Sequence, residues 1–167
     1  MGHGIIRIED KQISLVKMGV LTIDAKREQL LKLKDIFEET SRLIQTYSPD
    51  ALSIEAPFYG KNIQSMLKLG RAQGVAIAAA VHRDIPVFEY SPRKVKLAIT
   101  GKGSASKEQV AAMLHYLVDF EYNAASFDAT DALAIAICHH IQNKSIVKSK
   151  NYSGWEAFLS KNPERIR

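Results

Sequence analysis

Ala51-Leu52-Ser53-Ile54-Glu55-Ala56, the loop from Pro57 to Asn62, a helical stretch from about Ile63 to Arg83 and the extended run Pro86 to Tyr90 together decide the fold class of this chain. The first run is short and mostly apolar, as in a buried strand, and it ends in a glutamate. After the loop, Met66, Leu69, Ala72, Gln73, Ala76, Ile77 and Ala80 fall near one side at helical spacing. Gly70, Gly74, Ala78 and Ala79 add a surface of small residues that another backbone could approach closely. Strand, helix and strand in this order belong to an α/β or mixed sheet class.

Upstream, Gly4 to Glu9 and Gln12 to Ile23 read as two extended segments around the polar Asp10-Lys11 pair, a hairpin rich in β-branched residues. Asp24 is placed to cap a helix. From Arg27 to Tyr47, Leu30, Leu33, Ile36, Phe37, Leu43 and Ile44 keep helical spacing until Ser48-Pro49-Asp50 ends the run. Downstream, Ser91-Pro92 opens a short helix, and Thr100 to Ser106 is a glycine-serine loop. Helices over about Lys107 to Val118 and Asp128 to Gln142 close a domain spanning residues 1–142. Residues 143–167 read as a polar, basic tail with little core.

A length of 167 residues suits one domain, which needs no disulfides to bury a core. Cys138 is the sole cysteine, so the chain supports neither an internal disulfide nor a cysteine-rich zinc site, and a reducing compartment is expected. No apolar stretch reaches the roughly 20 residues of a membrane span, and no signal pattern opens the chain. No membrane partner and a cytoplasmic location are the expectation. A net charge of +5 permits a polyanionic partner.

Three acids carry candidate chemistry. Glu55 ends an apolar strand, where open α/β sheets place their ligands. Asp128 and Asp131 share one face of the first turn of an apolar helix. Carboxylates from separate elements can share Mg²⁺ ions, and an ion pair about 4 Å apart can stabilise both the attacking water and the leaving oxygen of a phosphodiester. Acids in a first helical turn also favour the macrodipole, so Asp128 is equally readable as a cap. A buried, unpaired Glu55 is harder to explain structurally.

Five blocks, in order, give the acids a context: Ile54 to Asn62 (IEAPFYGKN), Leu67 to Gly74 (LKLGRAQG), Pro86 to Lys96 (PVFEYSPRKVK), Gly101 to Val110 (GKGSASKEQV) and Asp128 to Ala136 (DATDALAIA). Together they resemble the RuvC family of Holliday-junction resolvases, from Met1 to about His140. The resemblance implies a ribonuclease H-like mixed sheet flanked by helices. It makes Glu55, Asp128 and Asp131 metal-binding catalytic carboxylates, with two Mg²⁺ per site and Mn²⁺ as a substitute. Lys107 and Lys96 match basic positions close to the cut phosphate, with Lys107 also catalytic. Phe58 matches an aromatic beside the junction, able to stack on an unpaired base. Lys61 and Arg71 are further DNA-contact candidates. Four-way junction DNA, a homodimer and a branch-migration helicase complex are the implied partners. The helix from Ile63 to Arg83 is a candidate dimer face.

The family pattern begins with a strand that carries an aspartate before a proline-glycine turn, whereas Met1 to Ile5 resembles the family's second strand. The expectation is a chain shortened at its N-terminus, without the central first strand and its metal-binding aspartate. Asp10, in the hairpin turn, does not substitute. A junction-binding module that does not cleave is therefore the alternative function. Another ribonuclease H-like nuclease, such as a transposase core, is disfavoured by Phe58 and the Lys61-Asn62 context. Gly101-Lys102-Gly103 lacks phosphate-loop spacing. His139 and His140 lie well beyond the acids and read as packing or surface residues, and Cys138 reads as a buried, inert thiol.

Overall fold

Alternation of extended and helical segments becomes nine elements in the computed structural model, which describes residues 1–10, 12–57, 62–120 and 127–149, with side chains to residue 143. In chain order these are β1 (Gly2–Glu9), β2 (Gln12–Val20), α1 (Gln29–Tyr47), β3 (Leu52–Glu55), α2 (Ile63–Val81), β4 (Val87–Tyr90), α3 (Pro92–Thr100), α4 (Lys107–Leu117) and α5 (Phe127–Ser149). The strand–helix–strand unit read from residues 51 to 90 is present, and β3 pairs parallel with β4, Glu55 opposite Tyr90.

β1 and β2 form the expected antiparallel hairpin, with a register irregularity between Ile5 and Ile6. The strands form two two-stranded sheets, β1–β2 and β3–β4. Among the described residues no backbone hydrogen bond joins one pair to the other. These residues thus give the expected mixed α/β class, with one antiparallel and one parallel pair of strands.

What unites the pairs is α5, which packs against all four strands. Leu133, Ala134, Ile137 and Cys138 from α5 form the buried centre, with Tyr90, Val95 and Leu114 around them and Ile6 and Leu15 of the hairpin against them. The approach of β1 to α5 requires glycine: a Cβ at Gly4 would stand 2.9 Å from the backbone nitrogen of Leu133, and one at Gly2 would overlap the carbonyl of Asp128. Since strand side chains alternate, His3 points to the other side, where the charges of Glu39 and Arg42 on α1 reach it. Helices thus cover both faces, with α1 packed on α2.

Three expectations change, two of them at element boundaries. Asp24 caps no helix. Its carboxylate accepts from the backbone of Lys26 in a turn, and α1 begins at Gln29 after Glu28, which makes no side-chain cap bond. Leu69 lies off the buried side of α2, which is lined by Ala76, Ala79 and Ala80; it is 49% exposed. α5 continues through Asn143 to Ser149, because that run holds no proline or glycine to end it, so the expected tail begins as helix.

Candidate active site

Each acid and its neighbouring cation is placed by a local rule. Glu55 is the last residue of β3, and the backbone on both sides of it is held: Ala56 N–H donates to Tyr90 O (2.9 Å), and Gln73 Nε2 of α2 donates to the carbonyl of Glu55 (2.8 Å). Asp128 lies in the first turn of α5, where a carboxylate complements the helix dipole, and Asp131 follows one turn later. Lys107 is the first residue of α4. Ser106 caps that helix and Gln109 completes a capping box.

A lysine at this position opposes the helix dipole, so helix stability does not explain it. Its partner does: Lys107 Nζ lies 2.8 Å from Asp131 Oδ2. Both side chains are about half exposed, so this pair is worth at most about 1 kcal/mol to the fold. The hydrogen bond and charge of Asp131 raise the Lys107 pKa above its ordinary value, with smaller contributions from Asp128 and Glu55. The ammonium stays charged throughout the physiological range.

Glu55 shows the opposite balance. Glu55 is exposed rather than buried as expected. Partial withdrawal of its carboxyl from water still pushes it above the ordinary range, and the charge of Asp131 pushes it further, against a smaller opposing pull from Lys107. The structure therefore brings Glu55, Asp131 and Lys107 into one electrostatic neighbourhood, and Asp128 reaches it through Lys107. A folded pKa above the unfolded one means that Glu55 favours folding below its unfolded pKa. That contribution is lost as pH rises through the raised value. Glu55→Gln should therefore raise the thermal midpoint slightly at pH 7, by less than about 1 kcal/mol after solvent screening, and leave it unchanged at pH 3. Melts at the two pH values check this, and equal shifts at both would refute it.

Among the described residues, no three His, Cys, Asp or Glu side chains stand together closely enough to hold an ion as a group. The donor chemistry still suits a hard divalent cation, because carboxylate oxygens repel one another here and a cation would remove the repulsion acting on Glu55.

The other described candidates sit on other elements. Lys96 lies on α3, where its carbonyl accepts from Thr100 Oγ1, and Arg71 is exposed on α2. Phe58 and Lys61 lie outside the described residues. Cys138 is buried and free, its thiol pushed up by burial. His139 does more than pack. Its Nδ1 lies 2.8 Å from the Tyr90 hydroxyl and its Nε2 2.9 Å from Asn143 Nδ2. Sequence reasoning missed Gln73 and Tyr90 as partners of the site. A lone glutamine or tyrosine carries no spacing signal that could have found them.

Comparison with known proteins agrees with this architecture. The family model described as "Crossover junction endodeoxyribonuclease RuvC" matches residues 1–139. The protein of that name from Cytophaga hutchinsonii is 50% identical over 167 residues, covering 100% of this chain and 82% of its own length. The one from Bacteroides fragilis is 52% identical, covering 100% of this chain and 90% of its own length. The solved RuvC structure from Thermus thermophilus superposes with a TM-score of 0.77 at 26% identity, covering 86% of this chain and 89% of that one. The same protein in complex with Holliday junction substrate gives a TM-score of 0.79 at 25% identity, covering 85% of this chain and 87% of that one. The blocks around Glu55 and Asp131, the helix-flanked strands that carry them and this similarity along the whole chain agree, and the chain belongs to the RuvC family.

Proposed function

We propose that this chain acts on four-way junction DNA as a metal-dependent endonuclease, cutting phosphodiesters in recombination and repair. The observation that carries the proposal is the 2.8 Å ion pair of Lys107 with Asp131, from the N-terminal turns of two helices, whose charges also act on Glu55 at the end of β3. It is supported by family members named for this activity and by the Thermus thermophilus structure that holds Holliday junction substrate.

In this reading Glu55, Asp128 and Asp131 hold Mg²⁺, two ions per site, with Mn²⁺ able to replace it. The metal supplies an activated water and charge neutralisation at the phosphate. Lys107 would donate from its ammonium to the phosphate oxygen on which charge develops. Lys96, Arg71, Lys61 and Phe58 contact the DNA: the cations neutralise phosphates and the ring stacks on a base. Two opposed cuts across a two-fold junction call for a homodimer. The exposed side of α2, with Ile63 and Leu67 beside the open Gly70 and Gly74, is the candidate face. A branch-migration helicase complex is the further partner and the cytoplasm the location; no helix among the described residues is long and apolar enough to cross a membrane.

A second reading, junction binding without cleavage, is favoured by the lack of a three-acid group among the described residues. Nicking of a labelled synthetic junction with and without Mg²⁺, beside a binding assay on the same DNA, separates the two. Magnesium-dependent nicking is the expected result. Binding that no divalent ion converts into cutting would replace the first reading with the second.

A further inference from the structure

Among the described residues, the strand that carries Glu55 pairs with β4, and its last carbonyl accepts from Gln73 of α2. Its placement against Asp131 therefore depends on how the β3–β4 pair is tied to α5. Apolar packing along α5 is non-directional and would let the pair slide or tilt. Hydrogen bonds fix a register, and Tyr90 stands where one can. Its carbonyl accepts from Ala56, directly after Glu55, while its side chain reaches into α5.

There the Tyr90 hydroxyl meets His139 Nδ1 at 2.8 Å, and His139 Nε2 meets Asn143 Nδ2 at 2.9 Å. With the Asn143 amide donating to Nε2, the ring proton sits on Nδ1 and is donated to the Tyr90 oxygen. Burial lowers the His139 pKa and so favours the neutral ring this arrangement needs. Phe88 of β4 packs on the same imidazole, with ring centroids 4.4 Å apart. His139 and Asp131 lie eight residues apart on α5, a helix whose internal bonds make that separation rigid.

We propose that Tyr90, His139 and Asn143 are positioning residues that fix the distance between the Glu55-bearing strand and the Asp131-bearing helix. None of the three touches the acids through its side chain. Their effect on catalysis rests on the metal reading above, but their effect on the position of β3 does not.

The test uses the full 167-residue chain and two readouts, Mn²⁺ affinity by titration calorimetry and hydrogen exchange of the Ala56 amide. His139→Phe keeps the ring and loses its polar atoms. His139→Asn puts an amide donor near the position of Nδ1 and loses the ring. Positioning predicts that His139→Phe and Tyr90→Phe bind Mn²⁺ about tenfold more weakly and lose Ala56 protection, and that His139→Asn recovers both. A merely structural imidazole predicts the reverse, with phenylalanine restoring and asparagine failing, and that result overturns the proposal. Should the His139 variants not fold, Tyr90→Phe, which removes one oxygen atom, decides on the same readouts, and parental behaviour in it also overturns the proposal. Glu55→Gln is the control for the metal site. If the parent chain binds no Mn²⁺, the metal reading fails, and the exchange of Ala56 alone decides the positioning role.

Discussion

Asp131→Asn will lower magnesium-dependent nicking of a four-way junction by about a hundredfold or more, since even outer partners of metal ligands carry about 10–100-fold. The substitution keeps the shape of the side chain and removes a single negative charge. That charge acts on two groups at once: it raises the pKa of Lys107 and it raises that of Glu55. On the proposed reading a divalent ion would lose one anionic donor, and Lys107 loses the anion that lies 2.8 Å from it. The fold should hardly notice, because the pair is half exposed and contributes at most about 1 kcal/mol. The thermal midpoint should stay within about 4 °C of the parent, and junction binding should persist. A variant that cuts at the parental rate would remove Asp131 from the site.

The largest loss of stability is expected from Leu133→Ala. Leu133 is 0% exposed and lies at the centre of the core where α5 meets the strands and α3. Truncation removes buried methyl groups and leaves a cavity that the rigid α5 backbone, pressed by Gly4, cannot collapse to fill. The cost is about 2–5 kcal/mol, against a total stability of about 5–15 kcal/mol. For a chain of this size the thermal midpoint should fall by roughly 5–15 °C. Leu69→Ala, on the half-exposed side of α2, should change stability by no more than about 0.5 kcal/mol. Equal midpoints for the two variants in circular-dichroism melts would contradict the central role given to α5.

Much of this was legible before any coordinates. β3, α2 and β4 announce themselves because apolar runs, a helical period and Ser91-Pro92 punctuation are local signals. Glu55 could be singled out because a charge at the end of an apolar strand conflicts with the local rule around it, whereas Asp131, which suits a first helical turn, and Lys107 stood out through the family blocks that carry them. Asp24 misled because a turn and a helix cap use the same carboxylate geometry, and only Gln29 shows where the helix begins. The end of α5 was missed because polar residues beyond Gln142 resemble a tail, while helix continues wherever nothing breaks it. The Gln73 and His139 contacts join residues 18 and 49 positions from their partners, a pairing no local period encodes.

The composition of the hairpin has a colloidal consequence. Among the described residues β1 pairs with β2 on one side, and wherever its other side is open, its donors and acceptors are a template on which another polypeptide can add; Gly-His-Gly-Ile-Ile offers few charges to discourage that. Arg7 and Glu9 blunt only its far tip. Concentration should thus govern how long this molecule stays dispersed, with self-addition starting at the glycine-rich end rather than at the charged one.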